Sequence, residues 1–448
     1  MSDFSRRDML KFSGMATVSY GGLNFSAVGA EKGKVALLPA KAKQVIYLNM
    51  RGAPSHVDTF DYKPDLAKQD GKRGKYGMNI LASPWKFNRS GRSGLWISEL
   101  FPHLSKMADE ICLLKGMYGT QPNHPQAQTL MHTGNFQFAR PSLGSWLLYG
   151  LGSINKNIPG FISLSPASGA TPHFASAFLP TEFQGTAIGK ARRGRTSASE
   201  SGQMPNIKNK YISRDLQEKQ LAFIQSLNKG KLRKEGKAPQ VQGVMDSFEM
   251  AYRMQDSMPA IMDLSKEKNS TKTLYGMEED ATAGFGKQCL LARRFIEAGA
   301  RFVEISHGSW DHHFNMKTDL PARSQEIDLP IAGLLKDLKQ RGLLESTLVI
   351  WAGEFGRTPE SPSKNGRNHN NKGYTTWFAG GGVKGGMSYG ATDPLGYEAV
   401  DGRLSIHDWH ATILRILGLD HKKLTYNYAG RDFRLTDVYG EVAKKILL

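Results

Sequence analysis

Histidines and carboxylates recur along this chain of 448 residues, and they follow short apolar runs. Asp311 and His312 are adjacent, and His56 lies close to Asp58. Other candidates stand apart from these pairs, namely His124, His307, Glu354 and His369. Neutral imidazole and carboxylate are the ligand types that bind zinc and other borderline divalent metals. These residue types at these positions therefore predict a metal site.

The elements that must position these residues can be read from the apolar runs. Runs of strand length begin at Val45, Ile111, Phe161, Phe302, Leu348 and Thr375. Their length and β-branched content predict buried strands, and helical patterns at 288–298 and 327–341 separate some of them. This alternation predicts an α/β fold with a mostly parallel central sheet and helices on both faces. Ligands bind beyond the carboxyl ends of such strands, so we expect the candidate residues to gather at one edge.

The N-terminus has the pattern of an export signal. Arg6 and Arg7 precede a weakly apolar stretch that is rich in small residues and ends near Ala30. A charged start, a short apolar middle and a small-residue end are typical of a signal peptide. The arginine pair indicates the twin-arginine route, so residues 1–30 are the expected signal and the export machinery is an expected partner. We expect a periplasmic or extracellular protein, with no stable membrane span in its mature form.

The charge of the chain favours anionic partners. Lys and Arg number 59 against 41 Asp and Glu, which gives a formal net charge of +18. Such a surface attracts acidic molecules such as sulfated or phosphorylated glycans, whereas no nucleic-acid motif accompanies the charge. Residues 185–243 are especially basic and are expected to form a partly helical insertion. Cys112 and Cys289 lie among apolar residues and are expected to be free, buried thiols.

Longer motifs give the chain a resemblance to one protein family. They are the segments 52–61, 124–127, 131–134, 310–312, 353–359, 380–386 and 407–419. Together they are similar to a large family of twin-arginine-exported, sulfatase-like proteins in the alkaline phosphatase and sulfatase superfamily. The resemblance covers the chain from about residue 43 to its C-terminus. It implies one alkaline-phosphatase-like domain over residues 31–448.

The resemblance also shows departures from the superfamily pattern. Arg51 stands where the superfamily has its first metal-binding aspartate, and His124 stands where a nucleophile is expected. Phe355 stands where a metal-binding histidine is expected. The Cys-x-Pro-x-Arg signature is missing, because Cys112 is followed by Leu-Leu-Lys. The resemblance therefore implies a single or rearranged metal site, and a protein that is not a formylglycine sulfatase.

From this resemblance we expect a metal-dependent hydrolase of phosphate or sulfate esters, with an anionic small molecule or glycan as substrate. The expected metal is zinc, with calcium and manganese as open alternatives. The expected ligands are Asp58, His307, Asp311, His312, Glu354 and His369. The expected catalytic residues are His124, His56 and Arg357. His124 would act as general acid, base or nucleophile, and Arg357 with Arg51 would hold the anionic group.

A non-catalytic function stays open beside the enzymatic one. The scaffold would then have lost its nucleophile and would bind anionic polysaccharide or a partner protein at the cell surface. The net charge of +18 fits this hypothesis equally well. An ordered metal favours the enzyme, and a site filled by Arg51 favours the binding protein.

Overall fold

The computed structural model describes residues 37–167, 169–189, 204, 207–209, 211–235 and 239–448. The expected signal peptide lies outside the described residues, and so does part of the expected basic insertion.

Nine strands of the described chain form the central sheet, and we number them in chain order. They are β1 Gln44–Met50, β2 Ile111–Tyr118, β3 Phe161–Leu164, β4 Thr186–Ile188, β5 Phe302–His307, β6 Thr347–Ala352, β7 Tyr374–Gly380, β8 Met387–Tyr389 and β9 Leu404–Ser405. Their order across the sheet is β8–β2–β7–β6–β1–β5–β3–β4, and β9 pairs with β2. β7 is antiparallel to both neighbours, whereas the other pairs are parallel. The predicted α/β fold with a mostly parallel sheet is confirmed.

Helices flank this sheet. The helices of the described chain are α1 His56–Thr59, α2 Pro64–Gln69, α3 His124–Thr133, α4 Leu143–Leu151, α5 Thr171–Phe174, α6 Arg214–Glu235, α7 Pro239–Met262, α8 Asn269–Leu274, α9 Asp280–Glu297, α10 Met316–Gln340 and α11 Ile406–Ile416. Short 3-10 helices span Leu104–Glu110, Thr181–Phe183, Leu344–Ser346 and Lys444–Ile446. Small antiparallel pairings join Asn79–Ile80 to Glu360–Ser361, Phe87–Ser90 to Leu95–Ser98, Gly356–Arg357 to His369–Asn370, Ala391–Thr392 to Ala399–Asp401, and Tyr426–Tyr428 to Arg431–Phe433.

The two faces of the sheet bury two separate hydrophobic clusters. Ile46 and Leu48 of β1 belong to one cluster, which also contains the apolar faces of α9 and α10. Val45 and Tyr47 of the same strand belong to the other cluster, together with α3, α4 and α11. This alternation follows from the two-residue period of a strand, whose successive side chains point to opposite faces. Every residue of β1 is buried, as expected for a strand covered on both sides.

The predicted elements and the observed ones differ mainly in their ends. All six predicted apolar runs lie in strands of the central sheet. The helix expected over residues 327–341 begins much earlier, at Met316, and it continues through Pro321 and Pro330. A proline removes one backbone hydrogen bond, but the long buried face of α10 offsets that loss.

The basic insertion was expected over residues 185–243, with a helix near 213–227. The structure has α6 there, and α7 crosses the expected boundary and places Met258 in the hydrophobic core.

Both cysteines are buried, as expected, and they lie in different clusters: Cys112 with α3 and Cys289 on α9. Among the described residues, no helix is both long and apolar enough to cross a membrane.

Candidate metal centre

The candidate centre lies at the edge of the sheet where the parallel strands end. β1, β5 and β6 are followed there by the loops 51–55, 308–315 and 353–355, and α3 begins there with His124. β7 runs in the opposite direction, so the segment that precedes it, containing His369, reaches the same edge. Five segments that are distant in sequence therefore meet at one place.

Asp311 lies at the middle of this group. Its Oδ1 atom is 3.2 Å from Nε2 of His124, 3.1 Å from Nε2 of His313 and 3.4 Å from Nε2 of His369. The ligand atoms of His124, Asp311 and His369 all lie within 4.8 Å of one another. Arg357 Nη2 donates to the same Oδ1 atom at 2.7 Å. Burial alone would raise the pKa of Asp311, but these hydrogen bonds outweigh it and hold the pKa well below its usual range.

The three imidazoles share one orientation. Each has its Nδ1 atom against a hydrogen-bond acceptor: His124 against Glu354 Oε1 at 2.6 Å, His369 against the Pro122 carbonyl oxygen at 2.6 Å, and His313 against Asn368 Oδ1 at 3.2 Å. An Nδ1–H that donates to an acceptor leaves the Nε2 lone pair of a neutral ring free. All three Nε2 atoms therefore face Asp311, which is the arrangement that metal-binding histidines adopt when their outer nitrogens are held in place.

His124 has a strongly perturbed pKa. Burial disfavours its charged form, but hydrogen bonds to Asp311 and Glu354 outweigh burial and raise its pKa to about 9. The two carboxylates thus favour a positive charge at this ring. A proton and a divalent cation compete for the same nitrogen atom, because a histidine must be deprotonated there to bind a metal.

Glu354 lies behind the His124 ring. Its carboxylate accepts hydrogen bonds from the Gly52 backbone N–H at 3.0 Å and from Gln128 Nε2 at 2.6 Å, and it is almost fully buried. Because it contacts Nδ1 and not Nε2 of His124, it orients this ring. Glu354 was expected to be a direct ligand, and the geometry gives it this supporting position instead.

Phe355 forms an apolar wall of the centre. Its ring centroid lies 4.8 Å from that of His124 and 4.7 Å from that of His369. The residue that replaces an expected histidine therefore packs between two imidazoles and restricts how they tilt.

Arg357 was expected to hold the substrate, but its donors are already used. Its guanidinium donates to the carbonyl oxygens of Ala53 and Gly52 as well as to Asp311, and only 1% of the residue is exposed. Its backbone pairs with that of His369. Arg357 therefore positions Asp311 and joins two loops, and it has no free face for a substrate.

Arg51 is the guanidinium that remains available. Its side chain donates no hydrogen bond to any described residue, and its Nε atom is buried without a partner. Burial lowers the pKa of Arg51, while the charges of Glu354 and Glu304 act against that shift. Arg51 is thus a partly desolvated cation beside the centre, and such a group binds an anion well.

Two expected site residues, His56 and Asp58, make buried structural hydrogen bonds away from the centre. His56 is fully buried, with Nε2 at 3.0 Å from the carbonyl oxygen of Gly396. Asp58 is inaccessible to solvent and accepts two hydrogen bonds from Arg367, at 2.6 Å and 3.0 Å. Its Oδ2 atom also accepts a hydrogen bond from Ser55 Oγ at 2.5 Å, so three donors hold this carboxylate away from solvent. Neither residue faces the group around Asp311.

His307 and His312, which were expected to bind the metal together with Asp311, have other contacts. His307 uses both ring nitrogens, since Nδ1 accepts from Trp310 Nε1 at 3.0 Å and Nε2 contacts Glu326 at 2.9 Å. His312 is buried against the Trp310 ring, and burial lowers its pKa to about 4. The residue next to it, His313, faces Asp311 instead. In the sequence, the signal that could have indicated His313 is the adjacent pair His312-His313.

A second buried polar group lies beneath the centre, and its residues were not among those expected from the sequence. Glu304 Oε1 accepts from Asn49 Nδ2 at 3.0 Å and contacts His132 Nε2 at 3.1 Å. The His132 ring stacks on His173, with centroids 4.1 Å apart. Gln128 connects this group to Glu354, because it contacts Asn49 through Oε1 and donates from Nε2 to the Glu354 carboxylate. His124, Gln128 and His132 are spaced four residues apart on α3, so they lie along one face of that helix.

Several solved structures are similar to this chain. One is the PsFucS1 sulfatase from Pseudoalteromonas sp., at 13% identity and a TM-score of 0.38, with 84% of this chain and 68% of that chain covered. Another is the lipoteichoic acid synthase LtaP from Listeria monocytogenes, at 11% identity and a TM-score of 0.34, with 90% of this chain and 78% of that chain covered. A third is the alkaline phosphatase from the Antarctic bacterium TAB5, at 12% identity and a TM-score of 0.33, with 84% of this chain and 98% of that chain covered.

Sequence comparison identifies the family. No curated protein matches the chain. The family described as "Protein of unknown function (DUF1501)" matches residues 42–447, which is nearly the whole chain, and the protein belongs to that family.

Proposed function

We propose that the protein is a metal-dependent hydrolase of phosphate or sulfate esters, with a single divalent ion bound by His124, Asp311, His313 and His369. The observation that carries this proposal is the position of three imidazole Nε2 atoms around one carboxylate oxygen. This ligand set replaces the one expected from the sequence: it gains His124 and His313, and it omits the residues that are held elsewhere.

The contact between His313 and His369 supports a cation at this position. Their Nε2 atoms are 2.9 Å apart. His369 Nδ1 faces the carbonyl oxygen of Pro122, which can only accept, so in the neutral ring Nε2 carries a lone pair. His313 Nδ1 faces the side-chain oxygen of Asn368, and the same argument applies. Two lone pairs so close repel each other. Arg357 Nη1, at 3.5 Å from His313 Nε2, offsets part of that repulsion, and a divalent cation would offset more of it.

The donor set favours zinc. Three imidazole nitrogens and one carboxylate oxygen suit zinc, and they suit manganese less well. Calcium is disfavoured, because it takes six or more oxygen ligands. A divalent ion at these residues would supply the positive charge that polarises an ester and favours ionised water at neutral pH.

The side chains around the centre have distinct tasks in this proposal. Arg51 binds the anionic group of the ester, because its guanidinium is unpaired in the described structure and lies near Glu354. Glu354 fixes the orientation of His124 through Nδ1, and Arg357 fixes Asp311. His124 then serves as a ligand, in place of the acid–base role expected from the sequence.

We infer an anionic, glycan-related substrate from charge. The chain carries a net charge of +18, and this field would raise the local concentration of acidic molecules near an arginine-containing site. A sulfate or phosphate ester presents the oxygens that a guanidinium recognises.

Metal content and ester turnover of the purified full-length chain test the proposal. The variants His313→Ala and His369→Ala should lose the ion and its activity, since each removes one of four ligands. His103→Ala, at a histidine that precedes β2 at the opposite edge of the sheet, is the matched control. Turnover is measured on 4-nitrophenyl phosphate and 4-nitrophenyl sulfate.

Arg51→Gln tests the anion site separately from the metal site. It should retain the ion and lower kcat/KM by about 10- to 100-fold, the usual value of a charge-assisted hydrogen bond. A wild-type protein that binds no divalent metal and turns over neither ester would overturn the hydrolase and leave a binding protein.

A further inference from the structure

A second group of cationic and aromatic side chains lies at the surface beyond the C-terminal end of α3. We call it the aromatic–arginine cluster, and its members are Phe138, Arg140, Phe178, Tyr428, Arg431 and Phe433. The ten-residue helix α3 is about 15 Å long, so the cluster is set apart from the ligand at the start of that helix.

A β-hairpin supplies half of the cluster. In its antiparallel register Tyr428 lies opposite Arg431, and Tyr426 lies opposite Phe433. Directly opposed residues of an antiparallel pair share one face. The hairpin therefore presents the cluster members Tyr428, Arg431 and Phe433 on the same side, with the Tyr426 ring beside them.

The rings of the cluster are close together and only partly covered. The Phe178 ring lies 5.1 Å from Tyr428, at an interplanar angle of 16°, and 5.1 Å from Phe433. Tyr428 is 51% exposed and Phe138 is 63% exposed. Exposed aromatic surface of this kind marks a binding site more often than isolated apolar residues do.

Arg140 lies among these rings without an acceptor. Its guanidinium carbon is 4.1 Å from the Phe433 centroid, 5.8 Å from that of Phe138 and 5.9 Å from that of Phe178. The side chain is half-buried, yet it donates no hydrogen bond to a described residue and forms no ion pair with one. Burial lowers the pKa of Arg140, against the attraction of Asp437. The donors of a guanidinium in such surroundings remain available to an anion.

We propose that the aromatic–arginine cluster binds a sulfated or phosphorylated polysaccharide, with the anionic group on Arg140 and sugar rings on Tyr428 and Phe138. The C–H face of a sugar ring packs against an aromatic face through dispersion contacts. The planar guanidinium matches two oxygens of a sulfate or phosphate. Arg431, exposed at the rim and paired with Asp437 at 3.0 Å, adds a second cation.

The composition of the cluster favours a polysaccharide over a lipid bilayer. Helices that lie in a membrane interface present a long apolar stripe flanked by basic residues. The cluster instead combines separate ring faces with arginines and comes from a hairpin and loops. The binding proposed here does not rest on the hydrolase, because the cluster and the metal centre have no residue in common.

The test measures binding of the full-length protein to sulfated dextran and to unsulfated dextran of equal length. Arg140→Gln should weaken binding of sulfated dextran by about tenfold or more, since it removes a charge-assisted contact. Tyr428→Ala should weaken it about threefold to tenfold, through the lost ring contact. Arg403→Gln is the matched control, because Arg403 also lies over one ring, at 4.5 Å from the Tyr118 centroid. It should change the affinity by less than about twofold.

Other outcomes would overturn the proposal. Equal losses for Arg140→Gln and Arg403→Gln would assign the binding to overall charge. Binding of phosphatidylglycerol vesicles that the cluster variants abolish, without any loss of dextran binding, would assign the cluster to membranes. Self-association that Tyr428→Ala abolishes would assign it to a second copy of the chain. Thermal unfolding of Arg140→Gln and Arg140→Lys separates lost binding from lost folding, and 4-nitrophenyl ester turnover should stay unchanged in every cluster variant.

Discussion

Asp311 is the side chain on which the metal centre depends most directly. Three imidazoles and one guanidinium meet at a single oxygen of its carboxylate. Removing its charge would leave the buried Arg357 without its carboxylate partner, and Glu354, behind the His124 ring, would remain as the carboxylate to balance a metal. The positions of all these groups therefore depend on one atom, Oδ1 of Asp311.

Asp311→Asn keeps the shape of this side chain and removes its charge. We expect loss of the bound ion and a lower pKa for His124, which is raised to about 9 partly by this carboxylate. Metal analysis gives the first result, and an NMR titration of the histidines gives the second. Asp319→Asn, an exposed carboxylate on α10, is the control. Full metal occupancy in Asp311→Asn would contradict the assignment.

The residue types of the centre could be predicted from the sequence, but the directions of neighbouring side chains could not. His312 and His313 are equally good ligands by type, yet one packs on Trp310 and the other faces Asp311. Their directions depend on the path of the loop after β5, where Ser309 has a positive φ of 68°. A single sequence carries no direct signal of that path.

At the scale of elements, the centre depends on how closely two loops approach. Gly52 has a φ of +104°, and a Cβ atom there would lie 2.7 Å from the Asp311 backbone nitrogen and 2.8 Å from that of Trp310. Only glycine permits this approach. The loop after β1 thereby sets the position of the loop that holds Asp311.

Gly52→Ala should therefore impair both stability and metal binding. Positive φ alone costs about 1–3 kcal/mol for a residue with a side chain. Gly71→Ala is a matched control, because Gly71 also has a positive φ, of +75°, but nothing lies within 4 Å of its Cβ position. We expect chemical denaturation to show destabilisation in both variants, and metal titration to show weaker binding only in Gly52→Ala. Equal metal affinities would refute the role of the close approach.

The packing of α11 on α3 predicts a pH dependence. His410 is fully buried, and its Nε2 donates to the Met131 carbonyl oxygen at 2.7 Å. Burial lowers its pKa from 6.5 to about 3. Below pH 6.5 the unfolded chain takes up a proton at this position that the folded chain does not, so folding stability falls as the pH drops toward 3.

His410→Gln keeps a donor and removes this titration. Its free energy of unfolding should depend on pH less steeply than that of the wild type, by about 1.4 kcal/mol per pH unit between pH 6 and pH 4. Urea denaturation of both proteins at several pH values measures the two slopes. Parallel slopes would show that His410 does not contribute.

At this scale the sequence predicted strands well and helix ends poorly. The apolar strands were visible because they are buried on both faces. α10 was expected to begin near residue 327, whereas it begins at Met316 and includes Pro321, a residue type that usually interrupts a helix. The buried face of the helix overrides that local signal, and such tertiary contacts are not visible in a single segment.

At the scale of the whole molecule, the position of the ligands bears on export. The proposed ligands at positions 124, 311, 313 and 369 meet only when most of the chain has folded. A protein loaded with its metal before export would therefore have to cross the membrane folded. We propose that it uses the twin-arginine route, in agreement with the pair Arg6 and Arg7, and that it acts in the periplasm or outside the cell.

A double substitution tests this route. Arg6→Lys with Arg7→Lys preserves charge but changes the paired signal, and the precursor should accumulate in the cytoplasm. Cell fractionation with an antibody against the protein measures its distribution. Normal export of the double variant would contradict the proposal, and unchanged metal content in the retained precursor would show that folding itself was not affected.

The central position of β1 has a consequence for the synthesis of the chain. β1 is the first of the nine sheet strands in the described chain to be synthesised, yet both of its partners, Phe302–His307 and Thr347–Ala352, are made some 250 to 300 residues later. Contacts of such long sequence separation form slowly, because a large loop must close first. During translation β1 must therefore wait unpaired, with an apolar strand exposed to aggregation until the C-terminal half emerges. A nascent chain that stops before Phe302 contains neither neighbour of β1 in the sheet, so chaperone binding should be concentrated on that interval of synthesis.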